Sequence, residues 1–200
     1  MFMRKIFLAL VAVVCSGMAL AQSDVGAMLA KLDKYVDGLG AYKITFELRS
    51  ADFTSDGYCV VSGDSYYISV GKSEVYADGK ARYEVDGVRR EVNIDVVDTK
   101  SHNILDNPTR CFDFVGEDYS AEITSRKGSE VEIHLSGNDI MEEGDIYITI
   151  DASTGKPLSL LYTLYEDRAY VKIRSIASDN TPVKKFAASA YRGFEMIDFR

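Results

Sequence analysis

From residue 42 onward the chain alternates. In YKITFELRS, Tyr42, Ile44, Phe46 and Leu48 share one side while Lys43, Thr45, Glu47 and Arg49 share the other. The same period of two returns in GYCVVSG, SYYISVG, EVEIHLSG, DIYITID and PLSLLYTLYED. It is clearest in EVYADGKARYEVDGVRREVNIDV, residues 74–96, where two Asp-Gly turns separate three apolar-polar runs. Side chains of a strand point alternately to opposite faces, and Asp-Gly between such runs is a hairpin signal. The pattern predicts an antiparallel meander of ten or eleven strands.

Two segments depart from that rhythm. Over residues 24–39, Met28, Leu29, Leu32, Tyr35, Val36 and Leu39 recur in steps of three and four, the mark of an amphipathic helix. Ser23 or Asp24 offers its N-cap, and Gly38 and Gly40 its end. In HNILDNPTRCFDFV, residues 102–115, Asn107-Pro108 makes a turn and the apolar residues lose the period of two. A long meander with an apolar face must close on itself or be covered, and these two segments are the available covers. With three prolines in the chain and no linker or repeat, residues 22–200 read as one domain. The expected fold is mainly β (α+β): a single strongly curved antiparallel sheet, an unclosed half β-barrel. The helix and a short helical lid lie on its concave side.

Arg4 and Lys5 precede the apolar run Ile6 to Val14, and Ala19-Leu20-Ala21 supplies a small-x-small cleavage pattern. Residues 1–21 therefore read as a signal peptide cleaved after Ala21, and the run is broken by Ser16 and Gly17 before it could span a bilayer. The expected destination is an oxidising compartment outside the cytoplasm. The chain has 23 basic and 31 acidic residues, and cleavage would remove two cations and no acids. So acidic a product would be repelled by nucleic acid. Of three cysteines, Cys59 and Cys111 lie beyond the cleavage point. In an oxidising compartment they either pair in a disulfide or remain as small buried hydrophobes.

The chemistry-bearing residues form no catalytic pattern. His102 and His134 have no ligand-spaced partners, so neither metal nor cofactor is expected, and both read as surface residues. Ser69-Val70-Gly71-Lys72 and Ser153-Thr154-Gly155-Lys156 match S-x-x-K, but they fall where the meander turns and lack companion motifs. The acid pairs Glu117-Asp118 and Glu142-Glu143 sit in charged, loop-like surroundings. No enzyme is expected.

The order of elements resembles the LolA-type lipoprotein carriers over residues 25–199. Tyr42-Lys43-Ile44-Thr45-Phe46 follows the helix as in that family's first strand. Asp78-Gly79-Lys80 with Tyr83 is similar to its D-G-K turn. Ile150-Asp151 with Thr154-Gly155, and Phe186, Gly193 and Ile197-Asp198, look like its late strands. The sequence departs from the family at Leu48, where a glutamine is usual, and at Asp86-Gly87-Val88, where a proline-centred turn is usual. The resemblance implies a monomeric periplasmic carrier that takes the acyl chains of lipoproteins, or another lipid, into an apolar hollow. Its implied partners are an inner-membrane ABC transporter and an outer-membrane acceptor. The outer-membrane receptor LolB and the lipid-sensing domain of RseB share the architecture, so a non-enzymatic sensor or protein-interaction module is the alternative.

On this reading the hollow is lined by Phe46, Leu48, Tyr58, Val60, Tyr66, Ile68, Val92, Ile94 and Val96. Ile104, Leu105 and Phe112 form the lid, and Glu91, Asn93 and Asp95 face solvent. Arg49, Arg82, Arg89 and Arg90 are the candidates for the family's lid-latching arginine.

Overall fold

The structure, a computed structural model, describes residues 24–114, 119–137 and 144–200. The expected leader with its cleavage site, Glu117-Asp118 and Glu142-Glu143 lie outside the described residues. No described helix is long and apolar enough to cross a membrane.

Helix α1 occupies 24–37. Val25, Met28, Leu29 and Leu32 are buried on the sheet, with Tyr35, Val36 and Leu39 packed beside them, as the helical spacing requires. The helix ends where Gly40 takes a positive φ of 65°. Lys31 Nζ donates to the Ala152 carbonyl at 2.7 Å, and Asp24 pairs with Arg126. Gly155 permits this seat: a Cβ there would lie 2.2 Å from the Lys31 carbonyl oxygen, and its φ is +77°.

Twelve strands follow among the described residues. The first meander is β1 (Tyr42–Arg49), β2 (Thr54–Ser62), β3 (Ser65–Val70), β4 (Ser73–Asp78), β5 (Ala81–Asp86) and β6 (Glu91–Val96). The second is β7 (Tyr119–Lys127), β8 (Glu130–Gly137), β9 (Asp145–Asp151), β10 (Pro157–Leu164) and β11 (Asp167–Ser178). Strand β12 (Glu195–Asp198) ends the chain. Antiparallel pairing of β1 with β11 joins the two meanders, giving the order β12-β6-β5-β4-β3-β2-β1-β11-β10-β9-β8-β7. The sheet is an open half-barrel with β7 and β12 at its edges. One strand beyond the expectation is β12, which pairs with β6 in parallel and makes the sheet mixed.

The concave face carries one continuous core that includes Tyr42, Ile44, Phe46, Cys59, Ile68, Ile133, Ile148 and Leu160. Gly57 lies opposite Phe46, and a Cβ there would come within 2.7 Å of the Phe46 ring, so the glycine leaves the floor open for that ring. A second cluster lies on the convex face, where Tyr67, Tyr76, Val85 and Val92 pack against Val183, Phe186, Tyr191 and Phe194. The latter four belong to a C-terminal strap that crosses the outside of β3–β6 before becoming β12.

Candidate functional site: a lidded apolar hollow

The crossover from β6 to β7 runs over the concave face and forms the lid. The expected short helical lid is instead a succession of turns over 104–106 and 108–112. Local side chains explain why: Asn103 Oδ1 accepts from the Leu105 N–H at 2.9 Å, and buried Asn107 accepts from Thr109 while donating to the Asp98 carbonyl at 2.9 Å. These contacts compete with helix continuation, and Pro108 lacks an N–H to extend one.

Three tyrosines of the floor hold the lid by its backbone. The Tyr42 hydroxyl donates to the Pro108 carbonyl at 3.1 Å, and Tyr66 donates to the Asp106 carbonyl at 2.7 Å. The Tyr162 hydroxyl donates to the His102 carbonyl at 3.2 Å and accepts from the Ile104 N–H at 3.0 Å. Burial raises all three phenols, that of Tyr66 to about 12, and keeps them protonated donors. Among the described residues a single ion pair reaches from the sheet to the lid: Arg82 Nη2 to Asp106 Oδ1, 3.1 Å. Of the four arginines read as latch candidates, Arg82 has this contact.

The expected lining divides between two faces. Phe46, Leu48, Tyr66 and Ile68 lie on the concave floor, and Ile104, Leu105 and Phe112 pack down on it from the lid. Tyr58, Val92 and Ile94 instead belong to the convex cluster, and Val60 shares the face of Tyr58 by alternation. Val96 is 61% exposed. The correction follows from register. Tyr67, Tyr76, Tyr83 and Ile94 lie opposite one another across β3–β6, all on the strap side. The concave row beside them reads Ile68, Val75, Glu84, Asn93, and the next reads Tyr66, Ala77, Arg82, Asp95. The apolar floor therefore ends at β4. The second meander supplies much of the rest, including Ile133, Leu135, Ile146, Ile148 and Val171.

Cys59 on the floor and Cys111 on the lid are both free and fully buried. The Cys111 thiol donates to the Pro108 carbonyl at 3.3 Å, the acceptor that Tyr42 also uses. Burial raises the Cys59 thiol to about 12 and pushes Cys111 up as well, with the neighbouring Cys59 adding to it.

His102 departs from its expected surface position. It is 4% exposed, with its ring against Phe114 at 5.4 Å and Nδ1 3.2 Å from the Tyr119 hydroxyl. His134 lies on the other face, between Glu122 and Asp145 at 3.2 and 3.1 Å and stacked on Tyr147. Among the described residues no three His, Cys, Asp or Glu converge for a metal. Ser153 and Lys156 belong to a turn whose Ser153 and Thr154 hydroxyls and N–H groups donate to Asp151 Oδ1.

Among the described residues, two cavities open at the rim of the floor, where the β1–β2 turn and the β10–β11 hairpin approach residues 98–106. One of about 700 Å³ lies between Arg49, Asn103, Leu164, Arg168 and Ala169, and one of about 260 Å³ adjoins it past Tyr162 and His102. The larger is an open depression edged by the charged residues Arg49, Asp52, Glu166, Asp167 and Arg168. A third, of about 390 Å³, lies on the convex side beside Tyr83 and Phe186, with the sheet between it and the floor.

No protein-family model matches the chain, and no curated protein matches it in sequence. Solved structures match its fold. An uncharacterized conserved protein from Thermus thermophilus aligns with a TM-score of 0.51 at 8% identity, over 86% of this chain and 96% of that one. A LolA superfamily protein from Nitrosomonas europaea covers the same shares at TM-score 0.40 and 8% identity. An outer membrane lipoprotein-sorting protein domain from Vibrio parahaemolyticus aligns at TM-score 0.41 and 8% identity, over 82% of this chain and 95% of that one. The chain shares the fold of the Thermus thermophilus protein. At such identities the likeness concerns architecture and leaves cargo and partners to be argued from the site.

Proposed function

We propose that this chain is a LolA-like, non-enzymatic periplasmic carrier. It takes the acyl chains of lipoproteins, or of another lipid, onto the concave floor and passes them towards the outer membrane. The observation that carries this reading is how the lid is attached. An unbroken apolar floor lies beneath a segment without regular helix, held by tyrosine hydroxyls on backbone groups and one ion pair. Hydrogen bonds of this kind contribute about 0.5–1.5 kcal/mol each, while each acyl methylene buried on the floor contributes about 0.8 kcal/mol. A chain of a dozen methylenes is thus of the size needed to displace the lid. Loading and release can stay near balance, as a carrier requires. An inner-membrane ABC transporter and an outer-membrane acceptor are the partners this reading calls for.

One observation favours the alternative of an interaction module: Leu32 and Ile104 already fill the floor and are wholly buried. Native mass spectrometry of protein isolated from its own periplasm separates the two. The carrier reading expects co-purifying lipid or lipopeptide, and a clean apo mass in repeated preparations counts against it.

A further inference from the structure

The concave surface changes character within two strands. The row that begins with Tyr66 and Ala77 continues as Arg82 and Asp95, so Arg82 stands where the apolar floor meets a polar wing. Its side chain is only 15% exposed. Glu84 Oε2 accepts from Nη1 at 2.9 Å, and Asp106 of the lid takes Nη2 at 3.1 Å. Nε is the one buried side-chain nitrogen or oxygen without a hydrogen bond among the described residues. A buried donor left unpaired is costly and calls for a reason.

The arrangement supplies one. The Nε–H and Nη2–H of an arginine lie side by side and match the two oxygens of a carboxylate or phosphate. Asp106 engages half of that edge. We propose that Arg82 is the head-group receptor of the hollow: with the lid raised, its Nε–Nη2 edge binds the carboxylate or phosphate of an anionic amphiphile whose chain lies along the floor. The proposal rests on the carrier reading and narrows its cargo. Glu84 on the opposite edge keeps the guanidinium in place when Asp106 departs. The ligand's anion then replaces the charge of Asp106, so the local balance is kept. It also makes two hydrogen bonds where the lid makes one. The Tyr66 hydroxyl, which also lies against the guanidinium, is freed from the Asp106 carbonyl and left as a further donor. Lid and ligand thereby compete for one residue.

The test is displacement of the neutral fluorophore N-phenylnaphthylamine from the mature protein by laurate, dodecyl phosphate and methyl laurate. Laurate or dodecyl phosphate should compete about tenfold better than methyl laurate, the scale of a charge-assisted pair, and the better of the two identifies the head group. Arg82→Gln should abolish the preference, and because it also breaks the Arg82–Asp106 latch it should tighten methyl laurate rather than weaken it. Arg82→Lys keeps the charge without the fork and should restore only part of it, which guards against a misfolded Arg82→Gln. Asp106→Asn should tighten laurate binding. Equal competition by laurate and methyl laurate in the unmodified protein, or a preference that survives Arg82→Gln, overturns the proposal and leaves the carrier reading standing. If the fluorophore binds nowhere and no lipid displaces it, both fall.

Discussion

Strands β1–β4 and strands β5–β6 belong to one meander and share one alternating pattern, yet they put their apolar residues on different sides. In β1, Tyr42, Ile44, Phe46 and Leu48 face the hollow. In β6, Val92 and Ile94 face away from it, towards Phe186 and Tyr191 of the strap. Strands β3 and β4 are the transition, with Tyr66, Ile68 and Val75 inside and Tyr67 and Tyr76 outside. Alternation therefore fixes that a strand has an apolar side. The cover available at each place fixes which side that is. Inside, the cover is α1 and the lid; outside, it is the strap.

The sharpest way to break this comparison is to place the same charge in both regions. Ile44→Asp puts an unpaired carboxylate in a fully buried site and should cost more than about 4 kcal/mol, abolishing folding or raising the group's pKa until it is neutral. Ile94→Asp lies under the strap, partly buried, and should cost about 1–2 kcal/mol. Chemical denaturation measures both. Equal losses at the two positions would mean that β6 also lines the core.

The lid contacts should respond less. Tyr42→Phe and Tyr66→Phe each remove one hydroxyl from a lid carbonyl and should cost about 1 kcal/mol. On the carrier reading each also speeds uptake of a fluorescent fatty acid, because the closed state loses an attachment while the floor is unchanged. Slower or unchanged uptake in both variants would indicate that the lid does not open at these points.

Much of this architecture was legible in the chain. The helix over 24–39, the strand runs and the covering role of residues 102–114 all follow from local period and turn chemistry. The division of the lining did not. GYCVVSG is apolar on both faces because β2 is covered on both, so period alone could not choose Cys59 and Val61 over Tyr58 and Val60. The strap was the missing signal: Val183, Phe186, Tyr191 and Phe194 are spaced along an irregular segment, and their target emerges only when β12 is paired beside β6. His102 was misplaced for a related reason. A polar-looking Ser-His-Asn reveals nothing of Phe114 and Tyr119 folding over the ring.

The strap gives the comparison a pH handle. Glu74 lies beneath it. Burial pushes its carboxyl up, but hydrogen bonds from Tyr191, Tyr67 and Lys184 outweigh that and hold it at about 2, below its ordinary 4.5. A depressed folded-state pKa contributes stability that is whole above the unfolded value and lost as pH falls through the folded one. Strap docking should therefore weaken between about pH 4.5 and 2, while the lid, held mainly by phenols on backbone groups with the Arg82–Asp106 pair beside them, should weaken less. Hydrogen exchange of residues 180–199 against 103–112 at pH 5 and pH 3 reads this directly. Glu74→Gln should remove the pH dependence from the strap.

The smallest effect is expected at Val96, which alternation assigns to the face of Val92 and Ile94 but which lies beyond the strap's apolar residues, in solvent. Val96→Thr keeps the β-branch and the shape and changes a methyl to a hydroxyl. At a buried position that exchange leaves a hydroxyl to be satisfied and typically costs about 1–3 kcal/mol. At an exposed one it stays within about 0.5 kcal/mol. The expected outcome is an unchanged denaturation midpoint and unchanged fatty-acid uptake, in contrast to the same exchange at Val92, which is fully buried and should lower the midpoint without altering uptake. Loss of uptake from Val96→Thr would return the whole β6 face to the hollow. Loss of stability alone would extend the strap's cover to the end of the strand.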